Sequence, residues 1–494
     1  MIRPVATFSL PLSEVAQLVS ATGDIDSQVD ISGVTHVDTD VEAGDIFVAI
    51  AGQKVHGAKF IHGAKERGAV AVVTDAEGAK DYQGLPTLVV KDVRSAAALI
   101  ASSLYRSPSR DLASIAVTGT NGKTTVTTLL YQIFECAGRD TGLIGTVETR
   151  IGKEILKSSR TTPEASELQA LIAVMRERHM RQMVMEVSSH AISLKRIKGS
   201  HFGIVGFTNL SQDHLDFHHD MESYYKTKSE LFSHEYAELA FINVDTQYGL
   251  RLASESQIPV ISLSRSLQSA QWYFSEIHHV ASGVEFSIRG TGGILIESRT
   301  QLLGGYNLDN LLMAVAIACE SGIDSIELAT IIPTLTGAPG RLDPVDIGQD
   351  FKALVDYAHS PDAVENVLGA AREFTDGKII AVLGCGGDRD TSKRSLMGAA
   401  LAQGSDIAIF TSDNPRSENP DEILKEMVNG YSVLDPSRVI ADRAKAIEYA
   451  VNCATAGDTV LILGKGHENG QEVAGVITSF DDRLYLARAI EAKK

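Results

Sequence analysis

A compact apolar strand, LASIAVTG (112–119), runs without a linker into the glycine-rich turn TNGKTT (120–125) and then a helix, TTVTTLLYQIFECAG (124–138). Strand, tight turn and helix in that order wrap consecutive backbone N–H groups around a small anion, and the helix N-terminus adds partial positive charge. Gly119 and Gly122 let the backbone close, with Thr120, Asn121 and Thr125 completing the loop. Lys123 is placed to reach β- and γ-phosphates, and the Thr124 hydroxyl to hold Mg²⁺. The long pattern G-x-x-x-x-G-K-[ST] fails, because Val117 stands where its first glycine belongs, so the loop is a shorter variant.

A phosphate loop needs companions. Mg²⁺ takes hard oxygen ligands, including one or two carboxylates besides the phosphates. Glu186 ends the strand MVMEVSS (183–189), beside Ser188, Ser189 and His190. The next strand, GIVGFTNL (203–210), leads into a second polar cluster with Asp213, His214, Asp216 and His218. Two successive strand ends carrying such clusters beside the loop predict a functional site.

The surrounding chain is alternating α/β. Its 494 residues predict about three domains. Short strands and helices fill residues 1–110 up to the break RSPSRD. A central phosphate-loop unit follows over 111–338, in which 257–303 reads as a small all-strand insertion. The turn-rich TLTGAPGRLDP (334–344) leads into a Rossmann-like unit, 339–494, of strands separated by helices, hence parallel with right-handed crossovers. Ligands of such open sheets sit at the carboxyl ends of the strands, which singles out the residues after VLG, FTSD and ILG. The net charge of −18 argues against a nucleic-acid partner or an anionic membrane surface, and no stretch of 18 apolar residues predicts a membrane span. Four scattered cysteines (Cys136, Cys319, Cys385, Cys453) read as free thiols in a reducing cytosol, so the expected location is cytoplasmic.

The blocks GTNGKTT, MEVSSHA, TNLSQDHLDFH, YYKTKSELF, GGYNLDNLLMA, GAPGR, VDYAHSPDA, GCGGDRD, DNPR and GKGHE run in order from 119 to 468, and through them the chain resembles the Mur ligase family. The match is closest to the branch that adds the third peptide residue of peptidoglycan precursors. It implies three domains, for a UDP-linked substrate, ATP and an amino acid. The implied reaction is ATP-dependent amide formation on the D-Glu γ-carboxylate of UDP-MurNAc-L-Ala-D-Glu, through an acyl phosphate, in a monomer. Lys123, Lys228 and His214 are the implied catalytic groups, with Thr124, Glu186 and a carbamylated Lys228 as Mg²⁺ ligands; Lys226 is the competing lysine. Asn307, at a helix start and so also readable as an N-cap, would contact adenosine together with Asp356. Arg341 would reach phosphate.

The same resemblance implies a pocket for meso-diaminopimelate made of Arg389, Asp413, Asn414, Pro415, Arg416, Gly464 and Glu468. Diaminopimelate carries a second carboxylate where lysine has none, and the planar fork of Arg416 matches it. For the UDP-linked substrate it implies His36, Asp38, Gln53, Lys54, Val55, Arg160, Thr161, Thr162, Ser188, Leu194 and Arg196. Here the sequence departs from the family: His36-Val37-Asp38-Thr39 stands for Leu-Asp-Ser-Arg, Arg160 for a common Asn, and Leu194 for a Gln of some members. The alternatives are the same ligation with L-lysine or another diamino acid, a folylpolyglutamate-synthetase-like ligase, and a nucleotide-gated binding module without ligase chemistry. DNPR and the first domain count against the second, and the clusters at Glu186 and His214 against the third.

Overall fold

Strands that are apolar at every position need cover on both faces, and three sheets meet that need in turn along the chain. The computed structural model describes residues 2–493 except 26, 27, 53, 82, 83, 159, 281, 282, 430–434, 436 and 437. Among the described residues no helix is long and apolar enough to cross a membrane.

The first sheet has five strands, in the order Thr22–Gly23, Thr87–Val89, Ala71–Thr74, Asp45–Val48, Gly33–Thr35, parallel except for Thr22–Gly23. Helix Val93–Leu104 covers it, and helix Ala165–Glu177 of the second unit adds Ala170 and Ala173 to the same apolar cluster. Two units thus share one packed seam.

The second sheet has eleven strands. Ala113–Thr118 lies between Gln182–Glu186 and Phe202–Phe207, parallel to both, so the turn after it opens where the chain departs to either side. That is the crevice position for a ligand. Alternation sorts its residues: Ile115, Val117 and Val184 face helices Lys123–Cys136 and Gly305–Glu320, while Ala116, Met183 and Met185 face Ala165–Glu177. The expected insertion at 257–303 is not a separate unit. Val260–Ser264 pairs in parallel with Ala237–Asn243, and Trp272–Val280, Gly283–Arg289 and Leu295–Thr300 continue the same sheet. Trp272, Phe274, Phe286 and Ile288 join the core beneath helix Gly305–Glu320, which removes any reason for a second core.

The third sheet runs Asp343–Pro344, Lys352–Asp356, Thr459–Leu463, Ile379–Cys385, Ile407–Ser412, parallel except for Asp343–Pro344. Helices Pro361–Glu373, Ser392–Gly404 and Pro420–Met427 cover one face; Arg443–Cys453 and Asp482–Lys493 cover the other.

Candidate active site

The glycine-rich loop is braced from outside. Gly119 and Gly122 have φ of +150° and +87°, and a Cβ on either would fall 1.9 Å from Thr208 Oγ1 or 2.3 Å from Asn310 Oδ1. Thr208 Oγ1 donates to the Asn121 carbonyl at 2.6 Å, and Asn209 accepts from the Asn121 N–H at 3.0 Å. The N-cap of helix Lys123–Cys136 is Gly122, which supplies no side chain, so the first-turn N–H groups remain free for an anion. Lys123 curls over its own loop, donating to the carbonyls of Gly119 and Thr120 at 3.0 and 2.9 Å; burial lowers its pKa from the usual lysine range. Lys123 is thus less exposed than a surface loop lysine.

Glu186 is buried and accepts from Thr124 Oγ1 at 2.9 Å and from the N–H and hydroxyl of Thr146 at 2.7 and 3.0 Å. A threonine hydroxyl and a carboxylate side by side are the hard oxygen donors that Mg²⁺ prefers. No cluster of three or more His, Cys, Asp or Glu suited to a metal exists among the described residues.

Helix Met221–Ser229 separates the two candidate lysines. Lys226 points outward, 70% exposed and 3.7 Å from Glu222. Lys228 is 1% exposed; its Nζ donates to the Gly119 carbonyl at 2.9 Å and lies 4.8 Å from the Tyr224 ring centre. Burial and then the charge of Lys123 push its pKa well below the ordinary lysine value. His214 has φ of +54°, and its ring stands 4.8 Å from that of His190 and 3.4 Å from Asp213. Burial lowers its pKa to about 4 against the opposing pull of Asp213, so the imidazole is neutral at neutral pH. His218 Nε2 lies 2.9 Å from Ser189 Oγ, and Tyr224 OH lies 3.2 Å from Thr120 Oγ1.

Asn307 corrects one expectation. Helix Gly305–Glu320 starts two residues before it with Gly304 as the cap, so Asn307 sits inside the first turn, donating to the Leu303 carbonyl at 2.9 Å and accepting from Asn310 at 3.2 Å. Asp356 is buried and accepts from the N–H groups of Leu342 and Ala358 at 2.7 and 2.8 Å, although burial still raises its pKa. Arg341 stacks 4.6 Å from the Tyr357 ring centre.

The third sheet carries the residues expected to form the amino-acid pocket. Asn414 Nδ2 donates to Glu468 at 2.9 Å, and fully buried Lys465 donates to both Asn414 and Glu468 at 3.2 Å. A Cβ on Gly464 would fall 2.7 Å from Asp413 Oδ2, so the two turns touch. Arg416 has φ of +53° and is only partly buried. Its Nη1 donates to the Gly387 carbonyl at 2.5 Å and its Nε lies 3.7 Å from Glu472. A Cβ on Gly387 would strike the Pro415 carbonyl at 1.9 Å, and Arg389 is exposed on the same rim. Non-glycine residues at positive φ recur around these turns at His214, Leu342, Asp388 and Arg416, as expected where surroundings force the backbone.

The expected UDP-substrate residues divide. Thr162 donates to the Glu186 carbonyl at 2.8 Å and accepts from the Ser188 N–H at 3.2 Å, Arg196 donates to the Thr162 carbonyl at 3.2 Å, and Thr161 accepts from Thr146 at 3.0 Å. Arg160 is exposed beside them, and Leu194 is half-buried as the C-cap of the short helix Ser189–Ser193. His36 reaches this group from the first unit, 3.2 Å from Ser166 Oγ. Asp38 instead pairs with Arg67 at 3.4 Å, and Lys54 and Val55 are exposed on a loop of the first unit. Gln53 lies outside the described residues.

Sequence reasoning missed four polar ties. Lys465 is one. Lys393 donates to Asp213 at 2.5 Å, and Asp362 accepts from Asn121 Nδ2 at 3.2 Å and Ser211 Oγ at 2.8 Å, fastening the third unit onto the phosphate loop. Glu164 holds Arg94 of the first unit at 3.0 Å and Arg196 at 2.9 Å. Local spacing carries no signal for these pairs; only the position of Lys465 within GKGHE could have suggested one.

Comparison with known proteins adds independent findings. Residues 30–105 match the model of the Mur ligase family catalytic domain, 117–318 that of the Mur ligase middle domain, and 340–466 that of the Mur ligase glutamate ligase domain. The chain is 46% identical over 497 residues to a Streptomyces coelicolor protein named UDP-N-acetylmuramoyl-L-alanyl-D-glutamate--2,6-diaminopimelate ligase, covering 99% of this chain and 98% of that protein. A Syntrophomonas wolfei protein of the same name is 41% identical over 471 residues, covering 94% and 95%. A solved structure with that ligase as its subject aligns with a TM-score of 0.69 at 31% identity, over 98% of this chain and 99% of the other.

Proposed function

The chain belongs to the Mur ligase family, and on that premise we propose that it joins meso-diaminopimelate to the D-Glu γ-carboxylate of UDP-MurNAc-L-Ala-D-Glu at the expense of ATP. One observation carries the reading: the third unit is fastened to the phosphate loop through Asp362 and to the neighbouring Asp213 through Lys393, so an amino acid held at Glu468 and Arg416 and a carboxylate activated near Lys123 belong to one reaction space. Residues 1–110 take the uridine part, 111–338 the ATP and 339–494 the amino acid.

A carboxylate is a poor acyl donor because it has no adequate leaving group. Transfer of the γ-phosphoryl group to it releases ADP and gives an acyl phosphate. The amine of diaminopimelate then attacks the acyl carbon, loses a proton, and expels inorganic phosphate. Phosphoryl transfer asks for positioning and charge stabilisation more than covalent help. The free N–H groups of the Lys123 helix and the Lys123 ammonium meet the moving charge. Neutral His214, beside the loop, can accept a hydrogen bond or a proton. Mg²⁺ held by Thr124, Glu186 and a carbamylated Lys228 would neutralise phosphate charge. Arg196, Thr162 and Ser188 hold the substrate's acidic end next to Glu186. Arg416 and Arg389 are the cations for diaminopimelate carboxylates, and Glu468 the anion for its ammonium.

The test is product mass after incubation with UDP-MurNAc-L-Ala-D-Glu, ATP and a panel of diamino acids, with each substrate omitted in turn. ADP release that requires all three, with a diaminopimelate adduct as product, is expected. ADP release without the UDP-linked peptide, or a glutamate adduct on a folate, would overturn the reading.

A further inference from the structure

Arg443 is the first residue of helix Arg443–Cys453, where a positive charge opposes the helix dipole. It and its partner Asp482 are both 0% exposed. Buried ion pairs are weak stabilising devices, because desolvation offsets most of the attraction. Stability alone therefore gives no reason for the pair to stand here.

Its hydrogen bonds supply another. Nε and Nη2 donate to the Asp482 carboxylate at 2.7 and 2.6 Å, which orients the guanidinium. Nη1 then donates to the Ser412 carbonyl at 3.2 Å and Nη2 to the Leu463 carbonyl at 2.9 Å. Ser412 and Leu463 are the last residues of strands Ile407–Ser412 and Thr459–Leu463. Those strands are not neighbours: each pairs with Ile379–Cys385 between them, so no ladder hydrogen bond joins their ends directly. The next residues along the chain are Asp413 and Gly464, where both halves of the amino-acid pocket begin. Burial opposes the charge of Arg443, while Asp482 and, less strongly, Asp413 and Glu468 favour it.

We propose that the Arg443–Asp482 pair is the positioning element of the amino-acid pocket, clamping the Asp413–Arg416 turn and the Gly464–Glu468 turn at the separation that the bound diamino acid requires. The proposal rests on the ligase reading above and deepens it. It depends on the planar fork of arginine, which serves a carboxylate and two carbonyls at once; lysine has the charge without that geometry.

The experiment is steady-state ligation with each of the three substrates varied in turn, in the wild type, Arg443→Lys, and the double variant Arg443→Met with Asp482→Leu. Replacing a buried pair by apolar residues of similar volume is compatible with folding, and thermal unfolding verifies that. Both variants should raise KM for diaminopimelate about ten-fold or more, leave KM for ATP and the UDP-linked peptide within about two-fold, and narrow the preference for diaminopimelate over lysine. If the double variant does not fold, Arg443→Lys decides alone by the same split. A folded variant with the wild-type KM for diaminopimelate, or an equal rise in all three KM values, would overturn the proposal. A wild type that ligates a different diamino acid would overturn the substrate assignment only, and the KM split measured with that amino acid would still decide the positioning role.

Discussion

Lys228 is the residue whose surroundings contradict its formal charge. It is sealed beside a second lysine, touches one carbonyl, and faces a tyrosine ring. Burial lowers the pKa of an amine by disfavouring its charged form. The sense follows directly: as pH falls, this amine stays neutral further below 10.5 than an exposed lysine does. Only the neutral amine adds CO₂, releasing a proton and leaving a carbamate whose oxygens are hard ligands of the kind Mg²⁺ takes. Lys228 is therefore expected to carry about 44 Da more as the carbamate, visible by ¹³C NMR after incubation with ¹³C-bicarbonate. Lys228→Ala should lose activity about a hundred-fold or more and regain part of it with added short carboxylates. A bare amine at saturating bicarbonate contradicts this. Lys226, exposed and paired with Glu222, should tolerate replacement by Ala without loss.

Among the elements, those best marked in the sequence are the ones local physics specifies. The strand–turn–helix at 112–138 is legible because only glycine fits beside Thr208 and Asn310, and the parallel strands because their apolar runs demand two covered faces. The region 257–303 was misleading for a related reason: half-exposed antiparallel strands look alike whether they form a separate sheet or extend an existing one. Lys393, Asp362 and Glu164 were invisible because their partners lie far along the chain. The start of helix Ser392–Gly404 places Lys393 on Asp213. Lys393→Met should leave that buried carboxylate short of a partner and loosen the third unit from the loop. A hydrogen bond between charged groups contributes about 1.5–3 kcal/mol, so kcat/KM should fall about ten- to a hundred-fold. Unchanged kcat/KM would make the contact incidental.

At the scale of the molecule, three sheets each present strand ends or connecting turns to a shared centre. Helix Ala165–Glu177 seats the first unit on the second, while Asp362 and Lys393 seat the third on the phosphate loop. Motif order within the chain made that division legible. The sequence did not reveal which side chains cross between units, nor that Asp38 turns toward Arg67 while His36 reaches Ser166. The third unit is expected to select diaminopimelate through the carboxylate that lysine lacks. Arg416, in a left-handed turn beside Gly387 and Glu472, is the group assigned to that carboxylate. With lysine bound, its fork would lose that charged partner, a penalty against lysine in addition to the missing attraction. The most direct measurement is kcat/KM for diaminopimelate and for lysine in the wild type and in Arg416→Ala. The wild type should favour diaminopimelate by about ten-fold or more, and the variant should lose most of that preference by weakening diaminopimelate while sparing lysine. Equal use of both amino acids by the wild type, or a variant that loses both in the same proportion, would contradict it.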